Sequence, residues 1–222
     1  MNRIFKLQIE DNRIGLEYDY APGHRFGQGQ RSPDGRFNVI HIPKNASSEI
    51  KRQLPDWEDS NYRDRELDTQ HLIIFRDPTE RWISGMAEFL VGRFSHMGGC
   101  NGDISESEIE EQMSGRLFRN MLFNFVVFDV HTLPQCCFLQ GLDLGRATFF
   151  YHDETVVERV LDHVGRSRAG VQFTNRAGED GRKLMIMDLL RQELAQTPAL
   201  QHSIDKHYYA DHGLKDRVEF RY

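Results

Sequence analysis

"FNVIHIPKNASSEIK", residues 37–51, runs from an unbroken apolar stretch into a proline, a lysine and a set of small residues before the next aliphatic side chain, Ile50. "FNVIHI" (37–42) predicts a buried strand of a parallel sheet, and the small residues predict the opening of a short crossover helix that ends before Pro55. A strand that turns straight into a helix leaves the first backbone N–H groups of that helix pointing outward, where they attract anions. Asn45, Ala46, Ser47 and Ser48 let the backbone come close to a ligand, the serine hydroxyls add donors, and Lys44 supplies a point charge. The guest that suits this chemistry is phosphate or a relative of it. A serine-capped helix with no ligand is the plainer reading of the same residues.

A second junction of the same kind follows in "HLIIFRDPTERWISG", residues 71–85. Residues 71–75 read as a buried strand, Asp77 as a helix cap, Pro78 as the first helical position and Glu80 as its capping partner. Arg76 sits at the strand end, and Arg81, Ser84 and Glu88 recur at three- and four-residue intervals on one helix face. Guanidinium and hydroxyl groups there can grip a second phosphate, or the junction can be purely structural, with Arg81 solvated and Ser84 packed against a neighbour. Ligands of a parallel sheet lie beyond the carboxyl ends of its strands, so strands ending at Ile42 and Phe75 put both sites along one crevice. A nucleotide with phosphates at two separate positions would bridge them. A Walker loop is a poor match, because the lysine precedes the serines and no glycine lies between Gly35 and Gly85.

The rest of the chain fits one α/β domain. It has 222 residues, 39% hydrophobic and 28% charged, with 15 Phe to fill a core. A net charge of −6 argues against nucleic acid as a partner. Three cysteines, Cys100, Cys136 and Cys137, make a poor disulfide framework and suggest free thiols in a reducing compartment. The start lacks the apolar core of a signal peptide and no window approaches a membrane span, so the expected location is cytoplasmic. Residues 1–36 read as two short strands around "EDNRIG" and a Gly/Pro-rich connector (21–35), and 37–222 as the core. Helices are predicted after Pro78, over about 105–124, after the strand in "ATFFYHDETVVERVLDHVG", and over about 181–196 and 199–215.

The paired motifs resemble the sulfotransferases that use 3′-phosphoadenosine 5′-phosphosulfate (PAPS), in particular their carbohydrate, Golgi-type branch. "IPKNASSEIK" is similar to the family's 5′-phosphosulfate loop and "RDPTERWISG" to its R-D-P-x-x-R-x-x-S motif. "HTLPQCCFL" is similar to its H-x-x-P-Q-x-x-F-L segment, "FFYHDETVVERVLDHVG" to its later strand–helix unit, and "HYYADHGL" echoes its end. Ala46 and Ser48 stand where the family often has glycine or threonine. The resemblance implies a three-layer, P-loop-like fold with a short central parallel sheet. It implies that Lys44 contacts the bridging oxygen of the phosphosulfate, that Asn45, Ala46, Ser47 and Ser48 bind the 5′ end, and that Arg76 and Ser84 bind the 3′-phosphate. PAPS would be the sulfuryl donor, adenosine 3′,5′-bisphosphate the product, a glycan or other small hydroxylated molecule the acceptor, and no metal would be needed.

A general base must take the acceptor's proton, and Glu58, Asp59, His71, Glu88 and His131 are the candidates, but each is more readily read as structural or solvated, so the base is left unassigned. Arg176 in "FTNRAGEDGRK" is a candidate late contact to the nucleotide. His202, His207 and His212 recur every five residues, which does not stack ligands on one helix face, so no metal site is expected there. Trp82, Phe89 and Phe94 suit a core as well as an acceptor cleft. The competing functions are a P-loop-type phosphotransferase or nucleotide kinase, and a nucleotide-binding module of the same fold without catalysis.

Overall fold

The structure, a computed structural model, describes residues 7–16, 26–62, 69–97, 105–127, 129–166 and 181–222. Arg176 and Cys100 lie outside the described residues, as does the side chain of Phe94. The chain divides into two compact units.

The first unit, Phe5–Pro78, Pro134–Phe173 and Tyr208–Tyr222, holds the strands. β1 (Leu7–Glu10) and β2 (Arg13–Leu16) form the expected hairpin. Asp11 and Asn12 turn it with φ of 47° and 64°, the left-handed pair that a two-residue hairpin loop demands and that Asp and Asn tolerate. A six-stranded sheet follows in the order β5-β3-β4-β6-β7-β8. β4 (Phe37–Ile40), β6 (Gln70–Phe75), β7 (Ala147–Tyr151) and β8 (Phe220–Arg221) run parallel, as the continuous apolar runs predict.

The sheet is mixed rather than purely parallel, which corrects the expected architecture. β3 (Gln28–Arg31) and β5 (Glu58–Asn61) pair antiparallel at its border. β3 lies within the stretch read as a connector, and β5 within the stretch read as leading up to the second strand. β3 is a strand despite its polar sequence because its neighbours supply what its side chains lack. Gly29 lets the backbone of Val39 come so close that a Cβ there would collide with the Val39 carbonyl, and the buried Gln30 donates through Nε2 to the Leu54 carbonyl at 3.2 Å.

α1 (Ser47–Gln53) and α5 (Val156–His163) cover one face of the sheet. Val39, Leu72, Ile74 and Phe150 point into that face and meet Ile50, Leu54, Trp57, Val157, Val160 and Leu161, all buried. Strand residues two apart share this core, the period that a pleated strand imposes.

The second unit, Met1–Ile4, Thr79–Leu133 and Thr174–His207, is helical where described. α2 (Pro78–Met97) starts at Pro78 as predicted and carries Arg81 and Trp82, both 0% exposed. The single helix expected over 105–124 is two, α3 (Glu106–Ser114) and α4 (Arg116–Asn124). Gly115, extended at φ −80° and ψ 154°, ends one and starts the other. Ser105 and Glu108 close a reciprocal capping box at the start of α3. α6 (Gly181–Gln196) matches its prediction, whereas the helix expected over 199–215 divides at Tyr208 into α7 (Pro198–His207) and α8 (Tyr209–Lys215). α8 belongs to the unit that holds the sheet. Among the described residues no helix is long and apolar enough to cross a membrane.

Candidate functional site

Lys44 and Ala46 adopt φ of 69° and 56°, left-handed conformations that cost a non-glycine residue of order 1–3 kcal/mol and collect at functional sites. Ala46, at ψ 14°, passes directly into the right-handed Ser47, a left–right pair that turns successive N–H groups into a concave anion seat. Ala46 is also the cap residue of α1 and has no side chain to satisfy the first-turn N–H groups. Lys44, Ala46 and Ser47 are half-buried and Ser48 is exposed. The loop therefore offers a ligand backbone donors, two hydroxyls and a lysine.

Asn45 plays a different part. It is 2% exposed, and its backbone N–H donates to the Ile42 carbonyl at 3.2 Å. Its Nδ2 donates to the Ile74 carbonyl at 2.7 Å and to Gln135 Oε1 at 2.5 Å. The side chain is turned inward and fixes the loop's shape.

Arg76 follows β6 at the same edge of the sheet, and its Nη1 donates to the Lys44 carbonyl at 3.2 Å. The two cationic residues are thus brought together across neighbouring parallel strands. The backbone of Arg76 is held on both sides by one amide: its N–H donates to Gln135 Oε1 at 2.9 Å, and Gln135 Nε2 donates to its carbonyl at 2.8 Å. Asp77 pairs with Lys215 of α8 at 3.4 Å. His152, just after β7, donates its backbone N–H to the Phe75 carbonyl at 2.8 Å. Burial, and secondarily the Arg76 charge, push its imidazole down to about 4.

Ser84 lies on α2 in the other unit and is 5% exposed. Gly85 after it has the carbonyl of His131 so close that any Cβ would collide with it. Trp82 is core, and its indole N–H donates to the Val126 carbonyl at 3.0 Å.

The base candidates sort by their surroundings. Glu58 is exposed on β5, Asp59 pairs with Lys51 at 2.9 Å, and Glu88 pairs with Lys183 at 2.7 Å. His71 lies near the amino end of β6, the end opposite Arg76, buried beside Asn38 and Tyr62. His131 has the arrangement that a base requires: its Nδ1 faces Asp129 Oδ2 at 3.1 Å, so an ionised Asp129 holds the Nδ1 proton and leaves Nε2 as the acceptor. Burial pushes the Asp129 carboxyl up, but hydrogen bonds from the His131 ring and from the backbone N–H groups of Thr132 and His131 outweigh it and hold the group below its usual range. Among the described residues no group of three or more His, Cys, Asp or Glu is placed to hold a metal ion.

No protein-family model, curated protein or solved structure matches the chain. The site is therefore read from its own residues. Sequence reasoning named Lys44 to Ser48 and Arg76 as candidates, and of these the structure brings Lys44 and Arg76 together; that reasoning missed the bracing of Arg76 by Gln135, the hold of Asp211 on the Gln135 backbone and the placing of His152 beside Arg76. Gln135 stands within the H-x-x-P-Q segment and Asp211 within "HYYADHGL", so both were in view without a role.

Three histidines, His71 buried and His41 and His152 half-buried, give the fold a pH dependence. Burial lowers His41, His71 and His152 from 6.5 to about 4 each, helped by the charges of Lys51, Arg146 and Arg76 respectively. Between these values the unfolded chain binds more protons than the native one, so stability is lost as pH falls from 6.5 towards 4. Urea unfolding midpoints should decline steadily across that window, and a level midpoint would contradict the burial of these rings.

Proposed function

We propose that the protein transfers a sulfuryl group from PAPS to a hydroxyl of a glycan or other small hydroxylated acceptor. The observation that carries the reading is the meeting of Lys44 and Arg76 at the carboxyl edge of β4 and β6, Arg76 Nη1 on the Lys44 carbonyl at 3.2 Å, beside a left-handed anion loop. In this reading the loop from Lys44 to Ser48 holds the 5′ end of the nucleotide, and Arg76 holds its 3′-phosphate. The fit rests on the backbone seat at Ala46–Ser47, whose cap residue brings no side-chain acceptor of its own. PAPS supplies a sulfuryl group whose bond to the 5′-phosphate oxygen breaks as a bond to the acceptor oxygen forms.

The chain's residues do the rest by charge and position. Lys44 neutralises the negative charge that develops on the departing oxygen, and the backbone N–H groups at the start of α1 share that charge in a pre-arranged seat. Arg76 and the loop fix the donor so that attack and departure lie in line. A base removes the acceptor's proton.

Titration calorimetry tests this. Adenosine 3′,5′-bisphosphate should bind the wild type, and Arg76→Ala should weaken it about 10- to 100-fold, the worth of a charge-assisted phosphate contact. Preference for ATP with magnesium would point to a phosphotransferase instead. Tight bisphosphate binding without turnover of PAPS on any acceptor would mark a binding module that lacks catalysis.

A further inference from the structure

We infer that Asp211, on α8, is a positioning residue that sets the geometry of the anion site through Gln135. Only the choice of ligand in its test rests on the sulfotransferase reading; the relay itself is a matter of hydrogen bonds within one unit.

The 3₁₀ turn Gln135–Leu139 starts after Pro134, which has no side chain to cap it, so the N–H groups of Gln135 and Cys136 lack a local acceptor. Asp211, 0% exposed, supplies both: Oδ2 accepts from Gln135 N at 2.8 Å and Oδ1 from Cys136 N at 2.9 Å. The cap comes from 75 residues along the chain. A buried carboxylate is costly to desolvate, and the two backbone N–H groups it satisfies offset that cost. What the carboxylate adds is direction. By fixing the backbone of Gln135, and by accepting from its Nε2 at 3.4 Å, it aims the side-chain amide.

That amide is fully committed to the site. Its Oε1 takes the N–H of Arg76 and the Nδ2 of Asn45, and its Nε2 donates to the Arg76 carbonyl. Asn45 lies between the two left-handed residues of the loop, and Arg76 reaches the Lys44 carbonyl. One carboxylate therefore orients, through one amide, both the loop that holds Lys44 and the strand end that holds Arg76. Lys215 adds a second tie from α8, to Asp77.

The test compares the full-length wild type with Asp211→Asn and Gln135→Met. Asn keeps the shape of Asp but presents an N–H₂ to one of the two backbone donors. Met removes the amide and leaves the Asp211 contacts to the turn intact. The readouts are ¹H–¹⁵N resonances and bisphosphate affinity. Both variants should shift the Arg76 backbone amide and the Asn45 side-chain amide, although Asp211 touches neither, and should weaken the bisphosphate by about tenfold or more. In Gln135→Met the α8 resonances should stay in place, which a simple loss of fold would not allow. Should Asp211→Asn fail to fold, Asp211→Glu, which keeps the charge but displaces both oxygens from the turn, takes its place. Wild-type resonances at Arg76 and Asn45, or affinity within about twofold of wild type in a folded variant, would overturn the relay. If the wild type takes up no bisphosphate, the sulfotransferase reading fails and the resonances alone decide the relay.

Discussion

Lys44→Met is expected to leave adenosine 3′,5′-bisphosphate bound while lowering sulfuryl transfer from PAPS by about 10²- to 10³-fold, the usual worth of one group aimed at developing charge. The bisphosphate keeps on its 5′-phosphate the charge that Lys44 meets in the proposed reaction, so its affinity should fall too, while the loop amides and Arg76 still hold it. Methionine is the replacement of choice for a backbone reason. Residue 44 sits at φ 69°, and glycine there would relax the loop as well as remove the ammonium. Methionine keeps the strain and the length of the side chain and removes the charge. Transfer can be followed as labelled sulfate passed to a panel of hydroxylated acceptors. Unchanged turnover in the variant would remove Lys44 from the chemistry.

Trp82→Ala should cost about 3–5 kcal/mol of stability, the range for emptying a buried aromatic site. Trp82 is 0% exposed, and its indole N–H is the donor to the Val126 carbonyl at 3.0 Å, so the change opens a cavity and strands a carbonyl at once. Its neighbours resist collapse into that space. Arg81, also 0% exposed, donates through Nη1 to the Leu133 carbonyl, and Gly85 is in close contact with the His131 backbone. Urea unfolding followed by a helix-sensitive signal should show the loss, and a change below about 1 kcal/mol would mean that the indole is not in the core. The same burial answers whether Trp82 lines an acceptor cleft: it packs inside, and the R-D-P-T-E-R-W run serves the fold through that residue.

The strands that were legible in the sequence are those whose side chains meet a core on the sheet face, β4, β6 and β7. Their apolar runs advertise burial regardless of what lies beside them. β3 was not legible because "QGQR" has no apolar residue; it becomes a strand through the close approach of Gly29 to Val39 and the hydrogen bond from Gln30 to Leu54, both of which are tertiary. Helix breaks were lost for a related reason. Gly115 and Tyr208 interrupt patterns that stay amphipathic across the break, so periodicity continues while the backbone does not. Lys44 and Arg76 were legible as candidates because each follows a strand end whose local chemistry suits an anion. Gln135 and Asp211 were not, because an amide and a carboxylate acquire a purpose only when the chain's topology sets them against the backbone of Arg76 and the turn at Gln135.

β5 has a consequence for the molecule among other molecules. Among the described residues it is an outermost strand of the sheet, and an outer strand is where a neighbouring chain can add. Its sequence there is Glu58-Asp59-Ser60-Asn61, with both carboxylates exposed. A second copy approaching that border meets like charge and short polar side chains in place of an apolar ladder. The polarity that hid this strand from sequence reading is also what discourages the sheet from growing into an aggregate.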